Sequence, residues 1–264
     1  MSHGLVEDHR RSGDAASSGD ELLTLLETRR SVAMTLLTDP GPKKDQLRRM
    51  LTIAARVPDH GALQPWRFIV IDGEARKQAS ERLAPIFAAE NEAMEAAQQE
   101  KFTGVISRVL THAPLIVIVV SRTDPTARVP AWEQDLSAGA VCMNLLHAAH
   151  ALGFAGTWLT GWAAYSTGGH RVLGINTGEK VAGFVYIGTA KEMPADRKRP
   201  DIDAIVTRWI SDDVMRPLKL SETTDLLIPA IHSTSTSAVD PRRCERRWRQ
   251  PSSDQPARPT SCPA

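Results

Sequence analysis

The order of elements along this chain predicts an α+β fold, with a central sheet layered between helices. Apolar patterning runs helix, helix, strand, helix, strand, helix, strand, strand, helix, which breaks the βαβ alternation of a doubly wound sheet. Leu115-Ile116-Val117-Ile118-Val119-Val120 is a continuous apolar, mostly β-branched run. Only a central strand covered on both faces reads that way.

Residues 1–19 are polar and rich in Ser, Gly and Asp, and read as a disordered leader. Asp20 can cap a helix from Glu21, with Leu22, Leu23, Leu25 and Leu26 as its stripe and Arg29 and Arg30 closing it. A second helix runs from about Lys44 to Arg56, with Leu47, Met50, Leu51 and Ala54 at i, i+3, i+4 and i+7, and Pro58 stops it. Phe68-Ile69-Val70-Ile71 is a buried strand ended by Asp72-Gly73. Residues 74–101, rich in Ala, Glu and Gln, read as one long helix. Another helix spans about Gln134 to Leu152, with Gly153 placed for a C-terminal cap at positive φ. Gly156–Thr160 and Val181–Gly188 are strand candidates, and Asp203–Ile210 is a last short helix. Beyond about Arg216 apolar periodicity survives only in Leu226–Ile231, so the domain is expected over 20–215 and a disordered tail over 216–264.

The 264 residues carry a net charge of +1 and 24% charged side chains, which gives no general attraction to nucleic acid or to an anionic membrane. No apolar run reaches the roughly 18 residues that span a bilayer, and the first twenty residues lack a secretory pattern. Cys142, Cys244 and Cys262 form no CxxC and suggest no disulfide framework. The cytoplasm is the default compartment. Phosphate-loop, Rossmann and G-x-S-x-G patterns are absent. His147 and His150, three apart on a helix, lack further ligands at metal spacing and read as helix-surface histidines.

Three stretches carry chemistry. Arg29-Arg30-Ser31 offers two guanidinium forks and a hydroxyl, a set suited to a phosphate dianion. It also reads as cations at a helix C-terminus. Successive helical residues point about 100° apart, so both arginines face one target only if the helix unwinds. Arg56-Val57-Pro58-Asp59-His60-Gly61-Ala62-Leu63-Gln64-Pro65-Trp66 crowds a cation, an imidazole, an amide and an indole into one connection. His60 and Gln64 can bond a heteroaromatic edge, and Trp66 reads chiefly as packing. Gly153 to Trp162 places two Trp among Gly and Thr, which suits either a flat ligand or a strand with apolar anchors. The acidic groups of Trp132-Glu133-Gln134-Asp135 are explained by the positive end of a helix.

Together, in this order, these stretches resemble the nitroreductase family of FMN-dependent oxidoreductases over about residues 21–212. Pro58-Asp59-His60 departs from the Pro-Ser form of the broader family. With Trp132-Glu133-Gln134 it is similar to the compact bacterial NAD(P)H nitroreductase subgroup. The resemblance implies a mostly antiparallel central sheet layered between helices and a domain-exchanged homodimer with FMN at the interface. It places Arg29, Arg30 and Ser31 at the phosphate end of FMN. Arg56, His60 and Gln64 are also cofactor contacts, with His60 reaching the flavin of the partner subunit. Trp158, Leu159 and Thr160 line the flavin, and Ala148, Ala149, His150, Ala151, Leu152 and Gly153 match a segment associated with the nicotinamide nucleotide. Lys191, Arg197 and Arg199 compete for the phosphate.

The implied activity is transfer of electrons from NAD(P)H, through FMN, to an electron-poor small molecule such as a nitroaromatic or quinone. Donor and acceptor would use one pocket in turn, which gives ping-pong kinetics. The flavin carries the chemistry, so no catalytic side chain and no metal is expected. Two alternatives stand beside this. One is a flavin-binding or flavin-consuming protein of the same fold without NAD(P)H turnover. The other is nucleic-acid binding through Arg242, Arg243, Arg246, Arg247, Trp248 and Arg249, set against the solvated reading of such charge runs.

Overall fold

The computed structural model of the chain describes the backbone of residues 13–210 and 214–217 and the side chains of residues 19–209. The described residues divide into two units, one up to Lys198 and one from Arg199 onward. Leu226–Ile231 and the Arg-rich stretch beyond it lie outside the described residues.

The first unit is built on a five-stranded sheet of antiparallel pairs. Its strands are β1 (Leu37–Thr38), β2 (Trp66–Asp72), β3 (Leu115–Ser121), β4 (Ala155–Leu159) and β5 (Lys180–Ala190), in the order β1-β5-β3-β2 with β4 also on β5. β3 is buried at every position. Its residues alternate between two cores, as strand geometry requires. Ile116, Ile118 and Val120 join Ile71, Leu83, Leu110, Phe184 and Tyr186 on one side. Leu115, Val117 and Val119 join Met50, Trp66, Val141, Leu145 and Val185 on the other. Helices α3 (Ala75–Glu90), α4 (Ala96–Ile106) and α6 (Thr167–Leu173) lie beside the first core. Helices α2 (Lys44–Ala54) and α5 (Ala131–Ala151) close the second. This is the expected α+β sheet between helices.

Several elements differ from expectation. Helix α1 spans Gly13–Thr28, so Asp20 lies inside it and is not its cap. Three of its leucines are exposed, Leu22 55%, Leu23 56% and Leu26 43%, while Leu25 is half-buried. The stretch expected as one helix over 74–101 is two. Asn91 closes α3 at φ −125°, and the Glu95 carboxylate starts α4 by accepting from the Ala97 and Gln98 N–H groups at 3.0 and 2.9 Å. Those bonds hold the Glu95 carboxyl below its ordinary pKa. Helix α6 has no apolar stripe to announce it. It forms because Ser166 Oγ accepts from Gly169 N–H at 2.8 Å and Gly174, at φ 73°, ends it.

In the second unit the expected helix Asp203–Ile210 is only α7 (Ile202–Ile205), started by Asp201. Thr207–Ile210 is instead strand β6, paired antiparallel with β7 (Val214–Pro217). Val206 and Thr207 disfavour helix, and the β6–β7 ladder gives their backbone groups partners.

One ion pair ties the turn after α6 to β2. Arg67 donates to Glu179 at 2.7 and 2.5 Å and to Gly174 O at 2.7 Å, while Asn176 N–H also bonds Glu179 at 2.7 Å. The Arg67 hydrogen bond, more than any other effect, pulls the Glu179 carboxyl down to about 2 from 4.5. A carboxylate depressed on folding stabilises the protein above its unfolded pKa, and the contribution disappears as pH falls through the folded value. Glu179→Gln is therefore expected to cost about 1.5–3 kcal/mol near neutral pH, with charge-assisted bonds lost. Urea denaturation at stepped pH should show wild type and variant converging between pH 4.5 and about 2.

Candidate functional site

Helix α5 organises the candidate residues. At 21 residues it packs against β3, β4 and β5, and polar side chains interrupt its apolar character on one flank. Glu133, Ser137 and Asn144 fall within about 40° of each other around the axis. All three hold the connection from α2 to β2. Asn144 Nδ2 donates to Ile53 O at 2.7 Å and to Arg56 O at 3.2 Å. Ser137 Oγ donates to Pro58 O. Glu133 Oε2 is bonded to His60 Nδ1 at 2.9 Å.

Asp59 finishes the connection from within, accepting from Leu63 N–H at 3.2 Å and Gln64 N–H at 2.8 Å. The turn so formed drives two non-glycine residues to positive φ, Ala62 at 51° and Gln64 at 50°. Such conformations are costly and persist only where surroundings impose them. Arg56, His60 and Gln64 present exposed side chains from this turn, whereas Trp66 is buried and packs in the core.

The acidic start of α5 is not a cap. Pro130 precedes the helix and makes no side-chain cap. Glu133 serves His60, and Asp135 accepts from Ser121 Oγ at 2.7 Å and Lys180 Nζ at 2.6 Å. Gln134, 2% exposed, clamps the preceding loop through Asp124 N–H, Asp124 O and Val129 O. Sequence reasoning missed Ser137 and Asn144 altogether. The available signal was polar residues at i, i+4 and i+11 on an otherwise apolar helix.

At the other end of α5 the chain carrying Arg29-Arg30-Ser31 is no longer helical, because α1 ends at Thr28. The unwinding that lets neighbouring arginines serve one region is thus present. Val32 N–H bonds Gly156 O at 3.2 Å, which docks this segment beside the start of β4. Arg30 is held by Asp196 Oδ1 at 3.2 Å and by Ala195 O. His147 and His150 are not plain surface histidines: both are part-buried. Burial first, then the charges of Arg29 and His147, push His150 down to about 4. Burial and Arg29 also lower His147. His150 is neutral near pH 7, its Nε2 buried without a hydrogen-bond partner among the described residues. Ala148 and Ala149 belong to the core, while Ala151 and Gly153 are exposed, Leu152 is half-buried, and Gly153 ends the helix at φ 83°.

Trp158, Leu159 and Thr160 form the third group, at the end of β4. The Trp158 indole lies on the backbone of Gly183, donates to Ala182 O at 3.1 Å, and reaches Gly139 of α5. Leu159 and Thr160 border an apolar cavity of about 100 Å³ with Met34, Leu110, Trp162 and Phe184. That is below the roughly 300 Å³ at which small-molecule sites begin.

One protomer does not bring the groups together. Glu133, which holds His60, and His147, beside Arg29, are roughly four turns apart on α5, or about 20 Å. Ser137, facing Pro58, and Gly139, facing Trp158, point about 160° apart. The loop bearing His60 and the strand bearing Trp158 therefore occupy opposite flanks of α5. Between the flanks lies an outward apolar patch, Trp132 and Leu136, 64% and 57% exposed, with Ala140 and Met143 half-buried beside it. Among the described residues no group of His, Cys, Asp or Glu is placed to hold a metal, and no helix is long and apolar enough to cross a membrane. Burial pushes the Cys142 thiol up to about 12, which leaves it inert.

Residues 26–189, more than half the chain, match the sequence profile of the Nitroreductase family. The "Putative NAD(P)H nitroreductase YdjA" of Escherichia coli is 37% identical over 169 residues, 64% of this chain and 88% of that protein. A "Putative NAD(P)H nitroreductase" of Haemophilus influenzae is 38% identical over 185 residues, 69% of this chain and 95% of that one. Among solved structures, a nitroreductase-like family protein from Bacillus cereus aligns with a TM-score of 0.62 at 22% identity, over 72% of this chain and 96% of that one. A nitroreductase with bound FMN from Bacteroides fragilis gives 0.56 at 21% identity, over 72% and 99%. The structural likenesses bear on the fold, which they share.

A Cβ at residue 183 would stand 2.0 Å from Trp158 Nε1. Gly183→Ala is expected to lift the indole off the sheet and break its bond to Ala182, at a cost of about 1–3 kcal/mol for overpacking. Tryptophan fluorescence should shift to the red in the folded variant, and an unchanged spectrum would show that the ring sits elsewhere.

Proposed function

The chain belongs to the nitroreductase family, and from that premise we propose that it is an FMN-dependent oxidoreductase passing electrons from NAD(P)H to an electron-poor small molecule such as a nitroaromatic or quinone. Its working form on this reading is a homodimer with FMN between the subunits.

One observation carries the proposal. The residues that match the family's flavin site stand on opposite flanks and opposite ends of α5, with an exposed apolar patch between them. An exposed patch headed by Trp132 and Leu136 suits burial against another protein surface. Packing a second copy there sets the loop of one protomer against the β4 flank of the other. His60 then serves the partner's flavin, as the family resemblance implies.

The residues present fit the cofactor. Arg29 and Ser31, outside helical geometry, offer charged forks and a hydroxyl to a phosphate. The α5 C-terminus nearby carries negative partial charge, which favours the Arg29 cation and opposes an anion. Phosphate binding is therefore assigned to side chains and not to a helix end. Neutral His150, with its buried Nε2 unsatisfied among the described residues, is a polar atom that a ligand would satisfy. Arg197 adjoins Asp196, which Arg30 holds, and is the basic residue we assign to the phosphate end. Trp158, Leu159 and Thr160 supply a wall for the ring, and Arg56 and Gln64 supply polar contacts at its edge. The turn at Ala151, Leu152 and Gly153 is the exposed part of the segment assigned to the nicotinamide nucleotide. Bound there, FMN would supply the redox chemistry between NAD(P)H and the acceptor, and the protein would contribute binding, orientation and charge.

The purified protein is expected to be yellow, and to bleach on addition of NADH or NADPH without oxygen. A colourless preparation that takes up no added FMN would refute the proposal. A yellow one that no nicotinamide reduces would leave a flavin-binding protein without this turnover. Arg29→Ala is expected to weaken FMN binding about ten- to a hundredfold, roughly 1.5–3 kcal/mol for one charged hydrogen-bonding partner. Flavin titration checks it, and full stoichiometric retention would remove Arg29 from the phosphate site. Double-reciprocal plots should be parallel, since donor and acceptor share one pocket; intersecting lines would mean both bind together.

A further inference from the structure

His60 makes one hydrogen bond among the described residues, between Nδ1 and Glu133 Oε2 at 2.9 Å. A carboxylate only accepts, so Nδ1 must carry the hydrogen. Which ring nitrogen of a histidine is protonated follows from the bond the other makes. We propose that Glu133 is the positioning residue of His60: it fixes the Nδ1–H tautomer and leaves Nε2 as a bare acceptor for a ligand N–H or O–H group whenever the ring is neutral. The identity of that ligand rests on the flavin reading, where the matching donors are an imide N–H of the ring or a hydroxyl of the ribityl chain.

Three features support a positioning role over simple stabilisation. First, the pair is open to solvent, with His60 70% and Glu133 35% exposed, and exposed pairs contribute little to stability. Second, the backbone on both sides of His60 is already held. Ser137 and Asn144 fix the chain before it and the Asp59 carboxylate fixes the chain after it. Only side-chain rotation remains to be set, and Glu133 sets it. Third, Glu133 lies in the first turn of α5, on the rigid start of a 21-residue helix that fixes where its carboxylate stands. A groove of about 340 Å³ lined by Pro58, Leu136 and Ala140 runs beside the pair. Its size is in the range of small-molecule sites.

The test is long-range ¹H–¹⁵N NMR of His60 in the full-length protein at alkaline pH, assigned by comparison with His60→Ala. Wild type is expected to show the Nδ1–H pattern. Glu133→Gln, which keeps an acceptor oxygen, should retain it. Glu133→Ala should revert to the Nε2–H form favoured by unconstrained histidine. An Nε2–H pattern in wild type, or an Nδ1–H pattern surviving in folded Glu133→Ala, overturns the proposal.

Flavin titration of the same proteins separates this inference from the functional reading. Glu133→Ala and His60→Ala are each expected to weaken FMN binding roughly 3- to 10-fold. The double variant should be no weaker than His60→Ala, because Glu133 acts only through that ring. An additive double variant counts against the positioning role. The predicted tautomers with no FMN binding by any variant would sink the flavin reading and leave the His60–Glu133 assignment intact.

Discussion

Helix α5 has more to satisfy than a single buried face, and the rest of the molecule is arranged around that constraint. Its inner face, from Ala138 to Ala149, closes the core over β3 and β5. One flank spends Glu133, Ser137 and Asn144 on the backbone and histidine of the α2–β2 connection. The opposite flank meets Trp158 at Gly139, where an added Cβ would stand 3.9 Å from the ring. The outward patch is apolar, with Trp132 and Leu136 exposed. A helix apolar around most of its circumference is ordinarily enclosed on all sides. Here the sheet and α2 cover the inner side and leave Trp132 and Leu136 facing outward.

This geometry gives the separation of the candidate groups a physical meaning. Rigid elements hold the His60 turn, the Trp158 strand end and the Arg29 segment, and none can cross α5 to reach the others. The electrostatics are divided in the same way. At the C-terminal end of α5, burial and Arg29 keep His150 neutral, so positive charge there belongs to arginine. At the N-terminal end, acidic side chains are committed to His60 and Lys180. A site assembled from both ends would combine cations for an anionic group with an oriented imidazole for a polar edge.

Much of the fold was legible because strand and helix periodicities are strong in the core. Leu115–Val120 could only be a central strand, and it is buried at every position. The elements that escaped depend on single polar contacts. Glu95 splits a helical stretch in two, and Ser166 starts a helix that composition does not advertise. In the candidate site, the residue types singled out three segments. Their partners were hidden: Glu133 and Asp135 read as helix-end charges, yet their contacts are 73 residues back to His60 and 45 residues on to Lys180. Long-range pairing of this kind leaves no periodic trace. Arg30 is a similar case, since nothing local foretells its hold on Asp196.

What the amino-acid order settles by itself is local: which stretches are apolar on one face, two faces or none, where turns must fall, and which segments carry cations, imidazole and indole. Those features arise from neighbours within a few residues and survive without a fold. Only the tertiary structure decides which polar groups meet, which histidine is emptied of charge by burial, and which apolar patch is left facing outward. Desolvation, ion pairing and the route of a helix across a sheet exist only once distant segments pack together.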